Sequence, residues 1–153
     1  SAVRSIESSL FHKYSHSFCL GSTKGQFSSV TVSGCDMQKP VCELIRQTNA
    51  TITIDFTTSK YNVTVKNSYI FTAVVHGIIM GRIPVPFPLP NPNACADENS
   101  GIKCPLKSGG SYNYHASLPV LKSYPKLSVV VKWELKDETN ENIVCVIIPA
   151  KIK

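Results

Sequence analysis

The stretch Thr51-Ile52-Thr53-Ile54-Asp55-Phe56-Thr57 alternates apolar and polar side chains without a break. A period of two puts Ile52, Ile54 and Phe56 on one face of an extended chain and the threonines and Asp55 on the other. That is the pattern of a half-buried β-strand. The same alternation recurs outward from it. Leu127, Val129, Val131, Trp133 and Leu135 make a stripe opposite Ser128, Lys132 and Glu134, and Tyr112, Tyr114, Ala116, Leu118 and Val120 make another. Val30 and Val32 begin a further stripe, and Phe71, Ala73 and Val75 line up likewise, although Val74 on the other face is also apolar. Ile143 to Ile148 is apolar on both faces, as a central or well-covered strand is. Tyr61, Val63 and Val65 mark one more strand within 60–66. No segment carries a helical stripe; 5–16, with Ile6, Leu10, Phe11 and Tyr14, comes nearest and would be a short N-terminal appendage. Six or seven short strands punctuated by Gly, Pro and Asn predict an all-β fold, an antiparallel sandwich or barrel.

The chain has 153 residues and 16.8 kDa, the size of one domain. Hydrophobic residues make up 42% and charged residues 17%, the latter below the roughly 25% of an average globular chain, so there is apolar material for a real core. No apolar run approaches the roughly 20 residues of a membrane-spanning helix. The start Ser1-Ala2-Val3-Arg4 does not read as a basic-then-apolar signal peptide, and a mature chain is expected.

Six cysteines stand at Cys19, Cys35, Cys42, Cys95, Cys104 and Cys145. None is spaced as the paired clusters of zinc sites are, and no metal or cofactor is expected. Six cysteines admit fifteen connectivities, among which sequence alone does not choose. The economical pairing is Cys35–Cys42, Cys95–Cys104 and Cys19–Cys145; reduced thiols in a cytosolic protein are the other reading. The acceptor sequons Asn49-Ala50-Thr51 and Asn62-Val63-Thr64 join the cysteines in favouring an oxidising compartment. A secreted protein, or one of the lysosomal or endosomal lumen, is expected.

The segment Pro84-Val85-Pro86-Phe87-Pro88-Leu89-Pro90 has a proline at every second position. Prolines have fixed φ and no N–H, so this segment is excluded as a paired central strand. It should run extended and present Val85, Phe87 and Leu89 to one side. Before it, Ile78-Ile79-Met80 sits between Gly77 and Gly81 and breaks the strand alternation. It reads either as a strand end packed in the core or as an exposed apolar loop that touches a membrane or a partner.

No nucleophile elbow, H-E-x-x-H, dinucleotide fingerprint or P-loop is present, so an enzyme is not expected. The net charge is +6, but the Lys and Arg residues are scattered without the aromatic interleaving of nucleic-acid platforms. A preference for anionic membrane surfaces is the better use of that charge. Of His12, His16, His76 and His115, His76 beside the apolar loop is the one placed to gain charge in an acidic lumen and strengthen such a contact.

One ordered series of residues carries more than composition does. Cys19…Gly21-Ser22, Cys35…Pro40…Cys42, Val74-Val75-His76-Gly77-Ile78, Pro84-Val85-Pro86-Phe87-Pro88, Cys104-Pro105-Leu106, Leu118-Pro119-Val120, Tyr124-Pro125, Trp133 and Cys145…Ile148-Pro149 follow one another along the chain. The series closely resembles the Niemann–Pick type C2 proteins of the ML lipid-recognition superfamily. It covers the chain from about Cys19 onward, which makes 1–18 an N-terminal extension and 19–153 a single ML lipid-binding domain.

The resemblance implies an immunoglobulin-like antiparallel β-sandwich with an apolar cavity between the sheets, and the disulfide pairing above. It implies a mouth to that cavity at Phe87, Val120 and Tyr124. It implies a lining or border at Val32, Leu44, Ile52, Val75, Ile78, Val85, Pro125, Leu127, Val129, Trp133 and Val146. The loop from His76 through Gly77, Ile78, Ile79, Met80, Gly81 and Ile83 would face membranes or a receiving transporter. Val146 stands where a tryptophan is common in the family, which makes the wall less aromatic. The implied function is that of a monomeric lipid carrier whose cargo is cholesterol or a related sterol, passed between membranes or to a sterol-accepting membrane transporter. The alternatives are an extracellular carrier of fatty acids or other long-chain semiochemicals, and a lipid-recognition module of innate immunity. No nucleic-acid partner is expected.

Overall fold

The apolar stripes close on one another as two stacked sheets. The structure is a computed structural model and describes residues 17–19, 24–36, 38–59 and 71–153. The strand expected within 60–66, its sequon at Asn62, the helical turn at 5–16, His12 and His16 lie outside the described residues. In chain order the strands are β1 (Ser17–Phe18), β2 (Gly25–Val32), β3 (Cys42–Leu44), β4 (Thr48–Thr58), β5 (Thr72–Ile79), β6 (Ile83–Pro86), β7 (Ser111–Val120), β8 (Ser128–Lys136) and β9 (Asn142–Ile152). One sheet runs β1-β9-β8-β5-β6, with β3 also pairing β9; the other runs β2-β4-β7. Every pairing is antiparallel except β3 with β9.

Register decides which side chains meet. In the larger sheet Val75, Trp133 and Val146 stand in one row, and Gly77, Val131 and Ile148 in the next. These rows are buried and face the smaller sheet, whose inward residues are Val30, Val32, Ile52, Ile54, Phe56, Tyr114 and Leu118. The core is graded along its length. At one end Phe56 meets Tyr112 and Phe71 with ring centroids 5.5 and 5.9 Å apart, and Tyr114 crosses between the sheets to meet Trp133 edge-on at 6.3 Å. Toward the other end the facing residues shrink to Ala50, Ile52, Val131, Ile148 and Ala150.

The proline ladder forms the edge. β6 pairs β5 with Val85 opposite Gly77 and Ile83 opposite Ile79, and the Phe87 N–H then donates to the Val75 carbonyl at 2.9 Å. Pairing on that period of two turns Pro84 and Pro86 outward, where no N–H is required. The prolines therefore fit an edge strand and deny the sheet a free edge for another chain to join. Val85, Phe87 and Leu89 are half-buried while the prolines between them are exposed, the one-sided presentation the spacing predicts.

Three disulfides staple the periphery: Cys19–Cys145 ties β1 to β9, Cys35–Cys42 closes the connection between β2 and β3, and Cys95–Cys104 closes the loop before β7. A polar clamp joins the sheets at the aromatic end. The Asp137 carboxylate, buried in the β8–β9 turn, accepts from Lys24 Nζ at 2.6 Å, from the Thr139 hydroxyl at 2.7 Å, and from the N–H groups of Thr139 and Glu141. Burial pushes the Asp137 carboxyl up, but the Lys24 ammonium, the Thr139 hydroxyl and the two backbone donors outweigh it and hold the group below the usual carboxylate range. A depressed folded value means stabilisation that is present above the unfolded value and lost as pH falls through the folded one. Asp137→Ala is therefore expected to cost about 2–3 kcal/mol in urea melts at neutral pH, with the deficit kept at about pH 5 and shrinking below about pH 3. A deficit that already vanishes by about pH 5 would contradict the clamp.

Candidate functional site

Where the facing side chains become small, a cavity lies between the sheets. The smaller sheet contributes Val32, Ala50, Ile52 and Leu118; the larger contributes Cys42, Leu44, Val131, Trp133, Ile148 and Ala150. No polar side chain lines it. Its volume is about 30 Å³, room for a water or two and far below the roughly 300–1,000 Å³ of small-molecule pockets. A lipid tail enters this space only if the sheets part.

The contacts around the cavity differ from side to side. On one side, 44–48 ties both sheets together: Lys153 N–H donates to the Leu44 carbonyl, Arg46 N–H to the Lys153 carbonyl, and Gln47 N–H to the Val120 carbonyl. At the aromatic end, a Cβ on Gly25 of β2 would stand 2.7 Å from the Ile143 carbonyl of β9, so the sheets there are in near contact. On the β6 side the contact is made by rings. Phe87 meets Tyr124 edge-on, with centroids 5.2 Å apart. The Phe87 ring is seated over Gly77, where a Cβ would overlap it and lie 2.9 Å from a Val129 methyl. Glycine is required there for close approach, since nothing about its backbone demands it. Side-chain rotation opens a ring contact at far lower cost than breaking a ladder of backbone bonds.

The expected lining residues are distributed as follows. Val32, Leu44, Ile52 and Trp133 line the cavity. Val75, Val129 and Val146 are buried on the same inner face, in the rows that carry Trp133 and Ala150. Val120 is buried at the end of β7, and Leu127 and Val85 are half-buried at the rim. Two residues fall elsewhere. Ile78 pairs with Val130 and Pro84 and points away from the smaller sheet, because it is one residue out of step with the inward Gly77 and Ile79. Pro125 is exposed. Ala50, Leu118, Val131, Ile148 and Ala150 line the cavity and were not singled out in the sequence. Leu118 and Val131 belong to stripes already legible there, but alternation does not distinguish a residue that touches a neighbour from one that borders a void.

The expected apolar loop is also redistributed. His76, Gly77, Ile78 and Ile79 belong to β5 and Ile83 to β6; the turn itself is Met80-Gly81-Arg82. Met80 and Gly81 both have positive φ, as mirror-image hairpin turns demand. Met80 is 79% exposed and Ile83 51%. His76 lies on the outer face of the large sheet with its Nδ1 4.0 Å from a Glu134 oxygen, and Lys132 and Lys136 face the same carboxylate. Deep in the core, burial pushes the Tyr114 hydroxyl above the usual phenol range. Among the described residues no cluster of His, Cys, Asp or Glu could hold a metal ion, and no helix is long and apolar enough to cross a membrane.

Comparison with known proteins places the chain. The model of the ML domain matches residues 13–152. The chain is 50% identical over 133 residues to NPC intracellular cholesterol transporter 2 homolog a of Drosophila melanogaster, covering 87% of this chain and 84% of that protein. It is 41% identical to NPC intracellular cholesterol transporter 2 of Bos taurus, covering 87% and 81%. A crystal structure of a Niemann-Pick type C2 protein from Japanese carpenter ant matches with a TM-score of 0.78 at 37% identity, over 90% of this chain and 99% of that one. Chicken MD-1, solved in complex with lipid IVa, shares the fold with a TM-score of 0.53 at 14% identity, over 88% and 85%. The chain belongs to the ML domain family.

Gly77→Ala tests the seat of the ring. Displacing Phe87 is expected to cost about 1–3 kcal/mol and to shift the ring resonances of Tyr124. An alanine variant with wild-type stability and unchanged Tyr124 signals would contradict the packing described.

Proposed function

We propose that this protein is a non-enzymatic lipid carrier that holds a sterol in the inter-sheet cavity and passes it between membranes or to a membrane transporter in a secreted or lumenal setting. The observation that carries this reading is the all-apolar cavity shared by both sheets, closed on one side by rings instead of backbone bonds. The kinship with proteins named as cholesterol transporters supports the sterol as cargo. A sterol would remove on the order of 400–500 Å² of apolar surface from water, about 10 kcal/mol gross before the costs of ordering and of parting the sheets. Phe87 and Tyr124 form the mouth, and Tyr124 offers a polar tip to a cargo hydroxyl.

The outer surface at the mouth suits docking. Segments 43–47, 79–83, 121–127 and 151–153 meet at this end, and they contain six basic residues against the single acidic Glu43, itself paired with Lys153 at 2.7 Å. Four exposed apolar side chains, Ile45, Met80, Ile83 and Leu121, stand among them. Apolar tips within a cationic rim are the composition that seats on anionic lipid.

On delipidated protein, displacement of a fluorescent sterol and of a fluorescent fatty acid reads the cargo. The sterol is expected to bind at least roughly tenfold more tightly, and Phe87→Ala or Tyr124→Ala to weaken it by roughly tenfold or more. Preference for the fatty acid would replace the sterol with a long-chain cargo, and unaltered binding in both variants would move the mouth elsewhere. Met80→Asp with Ile83→Asp is expected to slow transfer between anionic vesicles while leaving sterol affinity at its wild-type value. Transfer at the wild-type rate would remove the docking role.

A further inference from the structure

A larger and chemically different recess lies on the outer side of the small sheet. It has a volume of about 290 Å³ and is bounded by the proline ladder, the loop before β7 and the outer face of β4 and β7. Its polar wall is Asn91, Asp97, Asn99, His115 and Ser117. Leu89 and Pro90 supply an apolar floor. His115 turns its Nδ1 to the Thr53 hydroxyl at 3.1 Å, and the Thr51 and Ser117 hydroxyls lie 2.9 Å apart at the rim. Amides, a carboxylate, an imidazole and hydroxyls around a small apolar floor form a site for a polyhydroxylated, ring-shaped ligand, which presents hydrogen-bonding edges and an apolar face.

The occupant is suggested by what stands beside it. Asn49 is exposed on β4, on the same face as Thr51, and two residues of strand place it about 7 Å from that rim. Asn49-Ala50-Thr51 is an acceptor sequon. We propose that Asn49 carries an N-linked glycan whose first N-acetylglucosamine units fold back into this recess. The inference rests on the secretory reading above. The bond forms when Asn49 Nδ2 displaces the diphosphate of a lipid-linked oligosaccharide at its anomeric carbon, the amide proton going to a base of the transferase and the diphosphate leaving. In the folded protein the Thr51 hydroxyl is engaged by Ser117, so modification belongs to the chain before β4 and β7 pair. Afterwards the sugar's acetamido and hydroxyl groups bond to the polar wall, and its C–H face rests on Leu89 and Pro90.

The test uses protein secreted by eukaryotic cells and carrying Asn62→Gln, so that Asn49 is the single N-x-Ser/Thr sequon. Mass spectrometry is expected to find a glycan on Asn49. Full release by peptide-N-glycosidase leaves aspartate, so the Asn49→Asp protein is the reference. The glycosylated form should melt about 2–4 °C above it, and trimming to one N-acetylglucosamine should keep most of that gain. Asn91→Ala with Asn99→Ala should abolish the gain without changing the melting of the unglycosylated form. The side-chain amide resonances of Asn91 and Asn99 should shift only when the glycan is present. An unmodified Asn49, or a gain that survives the double substitution, overturns the inference, while sterol displacement on the same samples reports separately on the carrier reading.

Discussion

Trp133 meeting Tyr114 edge-on across the gap between the sheets is the contact around which the rest is arranged. Both side chains are large and buried, Trp133 on an inner strand of the larger sheet and Tyr114 on the edge strand β7 of the smaller one, and together they set the local separation. Away from them in one direction Phe56, Tyr112 and Phe71 fill the gap with further rings. In the other direction the facing residues are too small to fill it, and a void remains. Close packing and open space are thereby divided between two ends of one core. The aromatic end, reinforced by the Lys24–Asp137 clamp and the near contact of Gly25 with β9, holds the sandwich together. The aliphatic end is closed on the β6 side by the contact of the Phe87 and Tyr124 rings.

The edges obey a second constraint. An open sheet must end somewhere, and its last strand shows unpaired backbone groups to solvent. Here the larger sheet ends in a strand whose outward positions are prolines, so the strand bonds inward and offers no donors at those positions outward. The same ladder supplies Phe87 to the ring contact with Tyr124, and Leu89 and Pro90 to the outer recess. One stiff segment thus borders an apolar ring contact at Phe87 and, two residues further on, a polar recess at Leu89 and Pro90.

Charge is distributed according to that same polarity of ends. The carboxylates of Asp137 and Glu141 lie at the aromatic end, where Lys24 compensates them. The opposite end, with the Met80 turn, carries a basic excess with exposed apolar tips. His76, which by sequence adjacency belongs to the apolar turn, instead faces Glu134 on the outer sheet surface, three residues from the turn. Its immediate surroundings are the Glu134 carboxylate and the lysines that pair with it.

Alternation by itself determined that the chain is all-β, which residues of each strand turn inward, and that the proline segment is extended and never central, because a period of two leaves no freedom about faces. The ordered cysteine, glycine and proline series was enough to place the chain in its family. Register was decided only in three dimensions. A one-residue step separates Ile79, which packs inward, from Ile78, which does not, and both are isoleucines in an apolar run where alternation is silent. The void was likewise invisible, since Ala50, Val131, Ile148 and Ala150 look in sequence like any inward residue; whether such residues touch depends on the sheet separation imposed by rings elsewhere. The recess beside Asn49 is assembled from segments spread between Thr51 and Ser117, brought together only when the ladder and β7 come to lie along the same side of the sandwich. Local pattern governs which face a side chain takes; only packing across the two sheets governs how much space lies in front of it.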